Sequence, residues 1–584
     1  MNKLTDKIIS SKLGWLWLIV ALVAINLAAS VFHTRVDLTK EKRYTLSGAT
    51  SSLLSNLDGP VEIDVFLKGE FPSGFRKLAN STQEFLQLMK DRNGSNVQYR
   101  FISPQEKIPG SEVMYGDSLA NMGAVPINLT VQKQAGQSSN IIFPVAVMRY
   151  NGRQALVNLY PGASGRISQE EINSAEALME YQFAKTLDNL SQNNLPIIGY
   201  AVGNGEPTNY KAWDLSQTLS KGYDFRTFDL QNFPAIPDSM GLLLIVKPIT
   251  QFNEQEKLKI DQYMMRGGKL LCFIDALIAE QDSLSYKPET IAYDRNLNLT
   301  DLFFRYGLRV NPDLVMDLQC DMIPLVVGGS ADNPQMEFLR WNYYPLFSPG
   351  TGQLMSKIPG YIASRFANSI DTIQVPGIKK TVLLASSAHS RTISTPALIS
   401  FNENRNAPED AKFNKSGIPV AMMLEGKFTS LYRNRASQAQ RDSLAAVGVD
   451  FRGEGTEPGK IIVVADGDIV LNDMLPGEEG NPPQPLPMGW NRYTYRESER
   501  QTEAGRYFVP AANREFLQTC VEYLVNNPAI SETRNKDIVL RLLDSQKVKE
   551  NRFMWQFFNI GLPVILVILA GFVYQYIRKR KYTG

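Results

Sequence analysis

Residues 241–275 read GLLLIVKPITQFNEQEKLKIDQYMMRGGKLLCFID. The run GLLLIV is apolar throughout, which is typical of a strand covered by helices on both faces of a sheet. A charged segment of helical length follows it, and the run KLLCFID then returns to the apolar pattern of a buried strand. A strand, a helix and a second strand in this order predict a parallel βαβ unit.

The same alternation extends on both sides of this unit. The N-terminal side has PIIGYAV, a helix around 213–219 and DFRTFDL, and the C-terminal side has TVLLASS, GIPVAMMLEG, KIIVVAD and a helix at 513–525. The pattern therefore predicts a doubly wound α/β sheet that is built in two parts, residues 195–275 and residues 377–530.

Residues 276–376 interrupt this alternation. They are rich in Asn, Pro and Tyr, and they contain only short periodic pieces. Loops of this length in a compact domain are usually functional additions, so we predict an insertion or cap that consists mostly of loops.

A smaller α/β domain is predicted for residues 33–165. VEIDVFLKG alternates as a strand, a helix that ends at Gly94 follows it, and VQYRFIS reads as a second strand. A strand at 127–131 and a hairpin that turns at Asn151 and Gly152 are predicted to extend the edge of this sheet. A connecting helix at 166–194 then leads to the larger sheet.

Each end of the chain carries an uncharged apolar segment, at residues 13–32 and at residues 557–576. Both segments are long enough to cross the roughly 30 Å hydrocarbon layer of a bilayer as a helix. We therefore predict two transmembrane helices. For the first segment the alternative is a cleaved signal peptide, because basic residues precede it and small residues end it.

The orientation in the membrane is predicted from the basic run RKRK, which directly follows the second apolar segment. By the positive-inside tendency, residues 577–584 form a basic cytoplasmic tail, and two spans then place residues 1–12 in the cytoplasm as well. The bulk of the chain, including a juxtamembrane segment at 531–556, is expected in the periplasm. The predicted location is thus the inner membrane, with two passes and both termini cytoplasmic.

Composition and motifs exclude several functions. Lys and Arg total 61 against 59 for Asp and Glu, so no basic field exists to attract nucleic acid. The chain has only two histidines, which excludes HExxH metalloproteases and multi-histidine metal centres. Its three cysteines lie far apart and form no C-x-x-C pair. No G-x-x-x-x-G-K-[ST] motif is present, and we expect no ATP site, no metal and no cofactor.

Two polar clusters directly follow predicted strands, where α/β sheets usually bind ligands. The candidate ligand-binding residues are Gly203, Asn204, Gly205 and Glu206 in GNGEP, and Asp466 and Asp468 in KIIVVADGDIVLND. The alternative for the first cluster is a tight turn that needs φ > 0 at glycine. The alternative for the second is a structural turn, in which Asp468 accepts backbone N–H groups and Asp473 begins the next loop or helix.

Three long segments resemble the gliding-motility-associated ABC transporter auxiliary protein (GldG) family of Bacteroidota. They are DLTKEKRYTLSGAT at 37–50, KPITQFNEQEKLKIDQYMMRGGKLLCFID at 247–275 and RNKDIVLRLLDSQKV at 534–548. The resemblance extends over essentially the whole chain. It implies a separate ABC ATPase subunit and a separate multi-span permease subunit as partners, and an outer domain like the sheets of class I glutamine amidotransferases. A substrate-binding label accompanies the family, without binding residues that map onto this sequence.

The sequence departs from the amidotransferase pattern at one position. Those enzymes place a cysteine at a sharp turn between strand and helix, whereas Cys272 lies inside KLLCFID. The expected function is therefore a non-catalytic, membrane-anchored auxiliary subunit of an ABC transporter in gliding motility, with a large periplasmic region that interacts with partners or binds an unknown small-molecule or polymer ligand. The alternative is a cell-envelope hydrolase or amidotransferase-like enzyme that uses carboxylates at the sheet edge.

Overall fold

The structure is a computed structural model. The chain forms two compact units, Met1–Lys536 and Asp537–Gly584. The residues that it describes are 19–20, 22–23, 26, 45–124, 126–133, 136–160, 169–192, 194–280, 284, 289–330, 333–350, 352, 354–355, 358, 360–401, 410–477, 482–499, 510–526, 528–533 and 551–582.

The first part of the large unit is a small α/β sheet with its covering helices. Its elements are α1 (Gly48–Ser55), β1 (Val61–Val65), α2 (Ser73–Arg92), β2 (Val97–Phe101), α3 (Tyr115–Asn121), β3 (Ile127–Lys133), β4 (Gly136–Ile142), β5 (Val145–Tyr150), β6 (Arg153–Asn158) and α4 (Gln169–Ser191). The strand order is β2-β1-β5-β6, with β1 and β2 parallel and the other pairs antiparallel. Apolar residues of α2 and α4, such as Phe75 and Phe183, are buried with those of the strands.

The sequence predicted the βαβ unit and the hairpin at Asn151 and Gly152 of this sheet correctly. The prediction that residues 127–131 add to the sheet edge is wrong, because β3 pairs with β4 in a separate two-stranded hairpin. Local alternation identifies a strand, but it does not say which strand is its partner.

The second part of the large unit contains the main sheet and several smaller sheets. Its strands are β7 (Ile197–Val202), β8 (Asp224–Asp229), β9 (Met240–Val246), β10 (Lys269–Phe273), β11 (Leu277–Ile278), β12 (Glu289–Asp294), β13 (Leu308–Val310), β14 (Asp313–Asp317), β15 (Cys320–Ser330), β16 (Asn333–Pro349), β17 (Ile362–Ala363), β18 (Ile370–Thr372), β19 (Ile378–Ala385), β20 (Ser390–Ser394), β21 (Ala397–Ser400), β22 (Pro419–Gly426), β23 (Gly459–Val464), β24 (Met474–Leu475) and β25 (Gln484–Pro485). Its helices are α5 (Trp213–Ser220), α6 (Glu254–Met265), α7 (Thr300–Tyr306), α8 (Gln438–Ala445), α9 (Arg492–Glu499), α10 (Asn513–Val525) and α11 (Pro528–Thr533).

Five parallel strands form the centre of the main sheet in the order β8-β7-β9-β10-β23. Numbered along the chain, this is the doubly wound order 2-1-3-4-5, in which the direction of winding reverses between β7 and β9. Alternate residues of each strand face opposite layers: Leu244 packs with α5 and α10, and Leu243 packs with α6, α7 and α8. Because both faces are covered, the strands are apolar at successive positions, as the sequence predicted.

The antiparallel strands β22, β19, β16 and β15 extend this sheet beyond β23. The prediction that residues 276–376 are mostly loop is therefore wrong, since β16 alone spans 17 residues and pairs with β15, β17 and β19. The pairing of β15 with β16 shifts register at two places, which disturbs the alternation of polar and apolar residues. That irregularity explains why the local pattern did not reveal these strands.

The C-terminal unit contains an apolar helix. It consists of α12 (Arg552–Gln556), a π-helical turn at Phe557–Gly561 and α13 (Leu562–Tyr582). Over Arg552–Arg580 this helix is long and apolar enough to cross a membrane, and it is the one helix in the described residues that meets this test. The predicted first span at 13–32 falls mostly outside the described residues.

Candidate functional site

The carboxyl ends of the parallel strands meet at one edge of the main sheet. Lys247 follows β9, Asp275 follows β10 and Asp466 follows β23, and all three side chains are buried. Because parallel strands end at the same edge, residues that are far apart in sequence come together there. This edge is the candidate site.

Lys247 lies at the centre of a buried group of charges. Its Nζ is 2.7 Å from Asp468 Oδ1, 3.1 Å from Glu280 Oε2 and 3.2 Å from Asp275 Oδ2. The Lys247 side chain is 9% exposed, and the Asp275 and Asp468 side chains are 8% and 19% exposed. A charge that is so deeply buried is stable only when it is paired and hydrogen-bonded, and here three carboxylates surround one ammonium group.

The backbone holds Lys247 in an unusual conformation, with φ at +45°. Gly467 makes room for it, because a Cβ atom at that position would lie 2.7 Å from the Lys247 Cβ. The Gly467 N–H donates to Asp275 Oδ1 over 2.5 Å. The glycine of the ADGD segment thus allows two loops to approach each other closely, which a larger residue would prevent.

The charge group alters the pKa values of its members. Burial alone would lower the pKa of Lys247, but Asp275, Asp468 and Glu280 outweigh it and keep that pKa well above its usual value. Burial raises the pKa of Asp275 in spite of Lys247. Burial alone would also raise the pKa of Asp468, but the positive charges of Lys247 and Arg365 outweigh burial and lower this pKa. Of these two carboxyl groups, that of Asp468 is therefore the one whose charged form the surrounding cations favour more strongly.

Asp466 has a different role, that of a turn residue. Its Oδ2 accepts hydrogen bonds from Ser364 Oγ at 2.5 Å and the Arg365 N–H at 2.7 Å, and its Oδ1 accepts the Asp468 N–H at 2.7 Å. Burial, together with Asp468 and Asp275, raises the pKa of Asp466 to about 8. The expectation that Asp468 would accept backbone N–H groups is wrong in detail, because Asp466 accepts them and Asp468 instead binds Lys247.

A second ion pair lies beside the first. Arg365 Nη2 is 2.9 Å from Asp473 Oδ2, and the Arg365 guanidinium stacks over the Tyr344 ring at 5.3 Å. Asp473 also accepts the Arg492 N–H at 2.9 Å. Asp473 thus fixes the loop that follows the ADGD segment.

A cavity of about 120 Å³ opens between these groups. It is lined by Lys211, Glu280, Arg365, Phe366, Asp468, Leu471, Asn472, Asp473, Met474 and Arg492. Ligand pockets for organic molecules usually enclose roughly 300–1,000 Å³. The cavity is therefore large enough for a few water molecules or a very small polar group. Four of its charged lining residues, Glu280, Arg365, Asp468 and Asp473, already form ion pairs within the protein.

The GNGEP segment lies at the point where the winding reverses, between β7 and β9. Gly203 and Gly205 have φ values of +125° and +81°, so the tight-turn interpretation holds for both glycines. Asn204 and Glu206 are buried, and the Asn204 N–H donates to Glu206 Oε2 over 2.8 Å. These residues do not line the cavity described above, so the two predicted clusters form separate groups at the same sheet edge.

Sequence reasoning missed Lys247, Asp275 and Arg365. The first two could have been found, since each is the first charged residue after a fully apolar strand and the ends of parallel strands converge. Arg365 lies within the segment predicted as loop, and no local pattern distinguishes it from the other arginines of the sequence. Ion pairs that join distant segments leave no periodic signal in a sequence.

Cys272 lies inside a strand, and Ser387 and His389 of the SSAHS segment belong to a local turn. Cys272 is fully buried within β10, and burial raises the pKa of its thiol, which disfavours the reactive thiolate. Ser387 Oγ donates to Asp317 Oδ1 over 2.6 Å and accepts the His389 N–H over 3.0 Å, as in a local turn. Among the described residues, no cluster of three or more His, Cys, Asp or Glu residues is arranged to hold a metal ion.

The fold and the site together define an α/β protein in which Lys247 and Arg365, at the sheet edge, pair with carboxylates of the same chain. Residues 196–508 match the family model described as an ABC-type uncharacterized transport system. This match covers more than half of the 584 residues, and the chain belongs to that family of ABC transport auxiliary proteins. The family implies partnership with other transporter components and suggests a non-enzymatic role. Residues 40–149 match a second family model, a domain of unknown function (DUF7088).

Similar proteins add little about function. An uncharacterized protein of Borreliella burgdorferi is 22% identical over 453 residues, which cover 74% of this chain and 80% of that protein. Among solved structures, the mmIFT52 N-terminal domain has a TM-score of 0.31 at 11% identity and covers 57% of this chain and 98% of its own. The exo-beta-1,4-mannosidase Op5Man5 from Opitutaceae bacterium strain TAV5 has a TM-score of 0.18 at 10% identity and covers 74% of this chain and 52% of its own. Both scores are too low to support an argument about fold or function.

Proposed function

We propose that this chain is a non-catalytic, membrane-anchored auxiliary subunit of an ABC transporter, and that it acts by contact with a separate ATPase and a separate multi-span permease. The observation that carries the proposal is the internal pairing of the buried charges at the sheet edge. Lys247 and Arg365, which would be the obvious groups for binding or catalysis, are held by the protein's own carboxylates. This arrangement supports a rigid scaffold.

The size of the cavity supports an interaction role over the binding of an organic ligand. About 120 Å³ is well below the range of roughly 300–1,000 Å³ for pockets that enclose such ligands. In this proposal Asp466 and Asp468 stabilise the edge of the sheet, and the outer surface of residues 33–530 meets the partner proteins. We also propose that residues 33–165 and residues 195–530 form two separate domains.

The more specific assignment is to the gliding-motility machinery of Bacteroidota, at the inner membrane. Its support is the similarity of residues 37–50, 247–275 and 534–548 to the GldG family. In this proposal the helices at 13–32 and 557–576 both span the membrane, the termini are cytoplasmic and the bulk is periplasmic. The two helices are also the elements that dock against the permease, because two spans do not form a wide conduit by themselves.

Purification from native membranes tests the proposal. The full chain with an affinity tag is solubilised in mild detergent, and the proteins that accompany it are identified by mass spectrometry. We expect an ATPase with a phosphate-binding loop and a multi-span permease at fixed ratios. A matched control replaces residues 557–576 with an unrelated single-span helix, which should keep the chain in the membrane and lose the permease. Recovery of the tagged chain without either partner would contradict the proposal.

A further inference from the structure

Three buried oxygen atoms lie close to the GNGEP turn without a hydrogen-bond partner among the residues that the structure describes. They are Asn204 Oδ1, Glu206 Oε1 and Glu256 Oε1. Asn204 and Glu256 are each 1% exposed and Glu206 is 6% exposed, so bulk water does not reach them. A buried acceptor that lacks a donor is costly, by about 1–3 kcal/mol in mutational data and more for a charged group. Three such atoms in one place therefore need an explanation.

Direct hydrogen bonds join the three side chains into one cluster. The Asn204 N–H donates to Glu206 Oε2 at 2.8 Å, and Asn204 Nδ2 donates to Glu256 Oε2 at 3.2 Å. Glu256 Oε2 also accepts the Asn253 N–H at 2.8 Å, as part of the capping box that begins α6. Each carboxylate thus uses one oxygen within the protein and has the other oxygen left over.

The orientation of the Asn204 amide is fixed by its neighbours. Its Nδ2 donates to Gln251 O at 3.3 Å as well as to Glu256 Oε2, and both of these atoms can only accept. Turning the amide over would place an oxygen against two acceptors. The left-over atom is therefore an oxygen, like the left-over atoms of the two glutamates.

The cluster has little compensating positive charge in the part of the chain that the structure describes. Among the described residues, neither Glu206 nor Glu256 forms an ion pair. Lys259 is near enough to interact electrostatically with Glu256, but its Nζ donates to Leu230 O at 2.7 Å and Gln231 O at 3.2 Å. Two buried carboxylates and an amide oxygen present a net charge of about −2 when both carboxylates are ionised. A buried negative charge of this kind is neutralised by a proton or by a bound cation.

We propose that Asn204 Oδ1, Glu206 Oε1 and Glu256 Oε1 bind a hard divalent cation, Ca²⁺ or Mg²⁺, at the point where the sheet reverses its winding. Oxygen-only ligand sets with one or two carboxylates suit both ions, and water completes the coordination. The ligands come from two segments, the turn after β7 and the start of α6. Bound metal would therefore hold the turn after β7 against the start of α6.

The test uses the full chain, purified in detergent and stripped of metal with a chelator. CaCl₂ and MgCl₂ are titrated separately by calorimetry, and the unfolding temperature is followed in parallel. We expect saturable binding of at least one of the two ions by the parent, and a weakening of at least about tenfold in both Glu206→Gln and Glu256→Gln. Glutamine keeps the shape and one acceptor oxygen, so the capping box and the fold are preserved.

Glu254→Gln is the matched control, because it removes one negative charge from the same turn of α6. The Glu254 side chain is 59% exposed and pairs with Lys257, away from the cluster, so this variant should bind metal as the parent does. Absence of saturable binding by the parent up to about 1 mM, the weak end for extracellular calcium modules, would overturn the proposal. Unchanged binding in both glutamine variants would overturn it as well, since the metal would then lie elsewhere.

Discussion

Replacing Lys247 by methionine is expected to destabilise the chain strongly. The change removes the ammonium group and keeps the aliphatic stem, so packing against Gly467 and the positive φ are retained. Two carboxylates, those of Asp275 and Asp468, then remain buried at 8% and 19% exposure without their cation. Glu280 is less affected, because it is 36% exposed and also pairs with Arg295 at 3.0 Å.

The magnitude follows from the burial of these partners. Breaking a buried ion pair by removing one member typically costs about 3–5 kcal/mol, whereas an exposed pair contributes about 0–1 kcal/mol. We expect Lys247→Met to fall in the first range at neutral pH. The loss should shrink in acid, because protonation removes the charge of the carboxylates that have lost their partner.

The assay is guanidinium unfolding of the full chain in detergent, followed by circular dichroism. Lys68→Met serves as the control, because the pair that Lys68 forms with Glu106 is 56% and 48% exposed and its loss should leave the unfolding midpoint unchanged. A loss below about 1 kcal/mol for Lys247→Met would refute the reasoning, since the buried group would then behave as a surface pair.

Three further predictions concern the sheet edge and the membrane. Asp466→Asn combined with Asp468→Asn should lower the unfolding temperature and leave the response to calcium and to chelator the same as in the parent; loss of a metal response in the double variant alone would contradict the structural role. Burial alone would raise the pKa of Asp473, but Arg365 and the Arg492 backbone amide lower it. The ionised Asp473 therefore stabilises the fold at pH values above its unfolded pKa of about 3.9, and this stabilisation is lost as the pH falls through the lower folded pKa. The stability difference between the parent and Asp473→Asn should therefore shrink as the solution is acidified below about pH 4, and a difference that grows there would be inconsistent with the pairing. Protease added to the outside of spheroplasts should digest residues 33–530 and spare a C-terminal tag, whereas digestion of the tag would reverse the predicted topology.

The sequence predicted the central part of the fold because its signal is local. The apolar runs that end at Val246 and Phe273 are strands in the structure, and the segment between them is α6. Pairing between distant segments was harder to predict. The register shifts between β15 and β16 obscured both strands, and the contact of β16 with β19 depends on residues more than thirty positions apart.

The sequence indicated the edge of the sheet at which the candidate site lies, but it indicated only some of the residues that form the site. Asp466 and Asp468 lie at the carboxyl edge of the sheet, where the apolar strand before them indicated. Their partners Lys247 and Ser364 come from other strands and loops, and their proximity depends on the order of the strands in the sheet. That order is a property of the assembled fold, and no short stretch of sequence encodes it.

The most direct test of the central claim is ATP hydrolysis by the chain expressed and purified alone, measured beside the assembly recovered from native membranes. The chain has no phosphate-binding loop, so by itself it should show no turnover above a buffer control, while the assembly that contains the proposed ATPase should hydrolyse ATP. Robust ATP turnover by the isolated chain, in a preparation free of other proteins, would contradict the assignment to a non-catalytic auxiliary subunit.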